Sequence, residues 1–91
     1  MRFEWNENKQ SANIKKHGIK FVDAALVFED PHYTVNSSRS GENRWLTVGK
    51  VENRTIAVIW TQRGENIRII SARKARDAEK RKYCALFPER N

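Results

Sequence analysis

The sequence predicts an α+β fold class: two N-terminal helices and a C-terminal helix packed on an antiparallel sheet of about four strands. Three observations carry this. Apolar residues recur at helical spacing before Pro31 and with a period of two between residues 32 and 71. The segments joining the alternating stretches are short and polar, as hairpin loops are. From Lys74 to Pro88 the chain returns to helix formers. Helices over one face of a small sheet make an α+β layer pair and leave the other face to solvent or to binding.

Each element has its own signal. "RFEW" (2–5) alternates and could be a short first strand. Asn6 then offers a side-chain cap, and Glu7 suits the first turn of a helix. "ENKQSANIKKH" (7–17) has good helix formers, and Gly18 stops it after the cationic Lys15, Lys16 and His17. Its apolar face, Ala12 and Ile14, is thin, so it should lie on the surface with its basic end exposed. "FVDAALVFED" (21–30) spaces Phe21, Ala24, Ala25 and Phe28 as a better-buried helix, which Pro31 ends. Strands are expected at 32–35, 44–50, 55–60 and 66–71, with "NSSRSGEN" (36–43) as a polar turn. Joined in this way they form an antiparallel meander.

At 91 residues the chain is long enough for one domain, 1–91, and too short for two. No apolar run nears the roughly 20 residues of a membrane span. Nothing at Met1-Arg2 resembles a signal peptide, so a cytoplasmic protein with no membrane association is expected. The single Cys84 excludes an internal disulfide and a cysteine zinc site, and is expected to be a buried or half-buried thiol. The net charge of +7 points to a polyanionic partner: RNA, DNA or an acidic protein.

His17 and His32 are isolated, and no cluster has metal-ligand spacing, so no metal and no cofactor is expected. What remains is arginine. Arg44 opens one strand, Arg63 closes another, and Arg68 and Arg73 lie in or just after the last. If these strands are neighbours, Arg63 and Arg73 end at related positions near Arg44. Such a cluster can grip a phosphate bidentately and stabilise charge developing on it. RNA cleavage needs little more, because the 2′-OH of the RNA is itself the nucleophile; one His, Tyr or Glu can move the proton. The same residues also have plainer readings. Arg68 alternates with Ile67 and Ile69 as a solvated strand face. His17 and Tyr83 suit helix ends, Trp45 and Trp60 suit a core, and "KARDAEKRK" suits a solvated helix.

In order along the chain, "FEWNENKQSANIKKHGIKFVDAALVFEDP", "RSGENRWLTVGK" and "IRIISARKA", with a Glu and a Tyr downstream, resemble the BrnT toxins of type II toxin–antitoxin systems. The likeness runs from Phe3 to about Tyr83. It departs at Asn6, where the family commonly has Asp, and at "NSSRS", which is less acidic than the usual loop. The resemblance implies a RelE-like fold with a strongly curved sheet. It implies an RNA-cleaving toxin that inhibits translation. It also implies a BrnA-type antitoxin that neutralises the toxin and supplies a ribbon-helix-helix part, through which alone the complex binds DNA. By position, Arg63 and Arg73 would contact the scissile phosphate, with Arg44 joining them. His17 or Tyr83 would transfer the proton, and Lys16, Lys74 and Lys80 would hold the RNA backbone. Leu86 and Phe87 could serve a homodimer or the antitoxin. The alternative is a non-catalytic basic module, binding nucleic acid or antitoxin as a corepressor.

Overall fold

The computed structural model describes residues 2–90. Its core is a five-stranded sheet in the order β1-β5-β4-β3-β2. The strands are β1 (Arg2–Trp5), β2 (His32–Asn36), β3 (Trp45–Val51), β4 (Arg54–Arg63) and β5 (Asn66–Lys74). β2 to β5 form the expected antiparallel meander. The sheet is nevertheless mixed, because β1 pairs parallel to β5, from Arg2 opposite Asn66 to Trp5 opposite Ile69. A parallel partner far away in sequence leaves no hairpin signal, so β1 was legible as a short strand but its place beside β5 was not.

Helix α1 (Glu7–His17) begins and ends as its caps predict. Asn6 Oδ1 accepts from the Lys9 N–H at 3.1 Å, and Gly18, at φ 70°, donates to Ile14 O. The second helix is shorter than 21–30. It is a single α turn, α2 (Phe21–Ala24), that tightens into a 3₁₀ segment (Ala25–Phe28). The buried residues are Phe21, Ala24 and Val27, a period of three rather than 3.6. Val27 lies so close to β3 that a Cβ on Gly49 would sit 2.6 Å from its Cγ2, so this strand needs a glycine there.

Helix α3 (Asp77–Leu86) corrects a second expectation. Two apolar clusters lie on opposite sides of the sheet. Ile19, Phe21, Val27, Val58, Ile67 and Ile69 join the N-terminal helices to one face. Leu46, Val48, Ala57, Ala75 and Tyr83 join α3 to the other. Helices therefore cover both faces, and α3 leaves only part of the second face open. Trp60 packs on the N-terminal cluster as a core aromatic should, whereas the half-buried Trp45 belongs to neither cluster and meets the Trp60 ring at 6.2 Å. Cys84, in contrast, is exposed, because α3 turns Tyr83 and not its neighbour inward. No helix among the described residues is long and apolar enough to cross a membrane.

The packing of α1 rests on a polar residue. Asn13 is 6% exposed, whereas Ile14 is 39% exposed. Beyond Trp5 the outer edge of β5 has no strand beside it, and Asn13 takes that place. Its Nδ2 donates to Ala72 O at 2.9 Å and to Ile19 O at 3.0 Å, and its Oδ1 accepts the Ala72 N–H at 3.1 Å. One side-chain amide thus completes an interior edge that would otherwise hold unpaired backbone groups.

Candidate active site at the junction of α1 and β5

β5 is longer than expected. Ser71-Ala72-Arg73-Lys74 is not a joint between strand and helix but the last part of the strand, and α3 starts only at Asp77. Between Ile59 and Trp60 the pairing with β4 shifts, so that Ile70 is an extra residue on β5. A bulge of this kind bends the strand and re-aims its side chains. Here it borders a cleft of about 310 Å³ between β5 and α1, lined by Lys9, Lys16 and His17 on the helix side and by Ile70 and Ser71 on the strand side. Among the described residues no carboxylate lines it, so its charge favours an anion. The volume is at the lower end of the roughly 300–1,000 Å³ usual for ligand sites, enough for one small group.

Register sets which residues share this side. Ser71 pairs with Ile59 and Arg73 with Ala57, so both point to the α3 face, two residues and about 7 Å apart. The Arg73 guanidinium is held end-on by Glu79: Nη1 donates to Oε1 at 2.8 Å and Nη2 to Oε2 at 3.0 Å. Both side chains are largely shielded, 17% and 18% exposed. Glu79 Oε1 also accepts the Arg76 N–H at 2.8 Å, half of a capping box at the start of α3. These bonds, Arg73's first, hold the Glu79 carboxyl below the usual carboxylate range. The bond to Glu79 likewise raises Arg73 above its ordinary value.

The expected cluster of Arg44, Arg63 and Arg73 is divided. Arg63 pairs with Asn66 and Arg73 with Ala57, so they sit at opposite ends of an antiparallel strand pair, about 20 Å apart along β4. The premise that they end together is corrected: β5 runs back along β4, and its residue 73 lies beside the beginning of β4, not its end. Arg63 is exposed at the far end, in the company of Glu4, Asn66 and Arg68. Arg44 lies at that end too. It pairs with Glu42 at 3.3 Å, and its buried Nε has no hydrogen-bond partner among the described residues. Arg68 is on the face opposite the N-terminal helices, as a solvated strand residue would be, but it is tied to Glu4 at 2.7 Å. Bonds from Asn66 and Arg68 keep Glu4 below the usual carboxylate range.

The other candidates fall into place around this division. Lys16 and His17 reach the cleft. Lys74 and Lys80 are exposed where β5 leads into α3. Tyr83 is 1% exposed, packs on Phe87 and donates to Pro31 O at 3.4 Å, so it lies within the core and does not line the α1–β5 cleft. Lys9, Ser71 and Glu79 were not foreseen as site residues. Glu79 did have a signal: an acidic residue in the first turn of a helix, six residues after Arg73.

A small basic chain, with a cationic cleft two residues along β5 from a shielded arginine, has side chains suited to a phosphate-bearing polymer. Residues 5–79 match the family of ribonuclease toxins, BrnT, of type II toxin–antitoxin systems, and the chain belongs to that family. Membership implies an RNA target and an antitoxin partner. No curated protein matches the chain.

Proposed function

We propose that this chain is an active, metal-independent endoribonuclease whose reacting phosphate lies where the α1–β5 cleft meets Arg73. The observation that carries the reading is the cleft itself, in which Lys16 and His17 face Ser71, two residues along the strand from Arg73. Lys9 and Lys16 neutralise the phosphate. Arg73 stabilises the charge that develops on its oxygens as the 2′-OH attacks phosphorus and the P–O5′ bond breaks. His17 transfers a proton, histidine being the side chain whose ordinary titration lies nearest neutral pH. The products are a 2′,3′-cyclic phosphate and a 5′-OH. Tyr83, being buried, has no part in this reading. Arg44 and Arg63, at the other end of the sheet, guide the RNA rather than touch the scissile bond, and Lys74 and Lys80 hold its backbone. In the cytoplasm such cleavage inhibits translation. A BrnA-type antitoxin, carrying the ribbon-helix-helix part, neutralises it.

Expression of the chain alone should arrest bacterial growth, and co-expression of a neighbouring antitoxin gene should restore it. His17→Ala should relieve the arrest and lower cleavage by the roughly 10²–10⁴-fold attached to a general acid or base. Full toxicity in His17→Ala would remove His17 from the reaction. Tight, salt-sensitive RNA binding by the wild type without products would instead favour a non-catalytic corepressor.

A further inference from the structure

The Arg73 guanidinium is used on one edge only. Nη1 and Nη2 grip Glu79, and Nη1 also donates to Lys74 O at 3.2 Å. Among the described residues nothing accepts from the Nε–H or from the second N–H of Nη2, and Nε is not a buried atom. A guanidinium carries five donors in a rigid plane, so an anion held end-on leaves a second bidentate edge, Nε with Nη2, aimed in a fixed direction. Arg73 leaves β5 on the same face as Ser71, which lines the cleft.

Resting on the ribonuclease reading above, we propose that Glu79 is a positioning residue for RNA cleavage, fixing Arg73 so that its Nε–Nη2 edge is held out to the substrate phosphate. Glu79 is itself well anchored. Its Oε1 is shared with the Arg76 N–H, and its backbone carbonyl accepts the Tyr33 hydroxyl at 3.2 Å. α3 is pinned to the sheet by the buried Tyr83. A flexible arginine would lose rotamer freedom each time it met a phosphate, whereas one already held loses little, which is the usual gain from preorganisation. The two anions use different edges, so the phosphate need not displace Glu79.

Two variants separate positioning from folding. Glu79→Gln keeps the shape but weakens the end-on grip. Arg73→Lys keeps the charge pair but has no second edge. Each should lower kcat for RNA at least about tenfold, with thermal unfolding of Arg73→Lys near that of the wild type. A direct readout is the Arg73 Nε–H resonance in a ¹⁵N-edited spectrum. It should shift when uridine 3′-monophosphate is added to the wild type, and the shift should be lost in Glu79→Gln. An Nε–H unmoved by the nucleotide overturns the proposal. So does a Glu79→Gln variant that cleaves as well as, or better than, the wild type, since Glu79 would then be inert or a competitor of the phosphate. If the wild type cleaves no RNA, the ribonuclease reading fails, and the resonance still decides whether Arg73 presents its free edge.

Discussion

Arg73→Ala is expected to lower RNA cleavage by about 10²–10³-fold, the cost of removing one preorganised donor to a developing oxyanion. It should also cost stability, because Glu79 is only 18% exposed and would lose its partner. A shielded charged group left unpaired costs about 1–3 kcal/mol or more. The single variant therefore mixes two effects. The double variant Arg73→Ala/Glu79→Ala removes both charges, and so should recover most of the lost stability while recovering none of the cleavage. Thermal unfolding measured beside an RNA-cleavage time course reads both. If either variant cleaved like the wild type, Arg73 would have no role in the reaction.

Asn13→Ala should be the most damaging substitution on α1. It leaves the Ala72 N–H, the Ala72 carbonyl and the Ile19 carbonyl without the side-chain partner they have now. At about 1–3 kcal/mol for each buried group left unpaired, the loss is about 3 kcal/mol or more. In a domain of this size that corresponds to a fall in Tm of roughly 12–24 °C, a large share of the roughly 5–15 kcal/mol that holds a domain together. Circular dichroism on heating checks this. A fall of less than about 4 °C would mean that α1 is not anchored through Asn13. Ile14→Ala on the same helix should do far less, because Ile14 is exposed.

These two residues mark where the sequence could be read and where it could not. The meander was legible because alternation and short polar loops are local signals, and both caps of α1 were legible for the same reason. β1 was seen as a strand but not as a partner of β5, since nothing local encodes a parallel contact between Phe3 and Ile67. Asn13 was overlooked because apolar spacing was taken as the guide to burial. An asparagine in mid-helix, a poor helix former that prefers to bond backbone, was the available hint. Placing α3 on the opposite face needed tertiary information, as Tyr83 and Ala75 would suit either side. The site was partly legible. Lys16 and His17 line one cleft, with Arg73 two residues along β5 from its Ser71, but Arg63 and Arg44 lie at the other end of the sheet, because β5 runs back antiparallel to β4. Glu79 was hidden in a run of charges that looked like a solvated helix face. Only its distance to Arg73 shows that one carboxylate of that run is an internal partner.

In the proposed reaction the RNA's own 2′-OH is the nucleophile and no metal ion takes part. Analysis of the product ends after incubation of purified protein with RNA in excess EDTA tests it most directly. Cleavage should persist in the chelator and leave 2′,3′-cyclic phosphate and 5′-OH ends. Cleavage that stops with EDTA, or products ending in 3′-OH and 5′-phosphate, would contradict it.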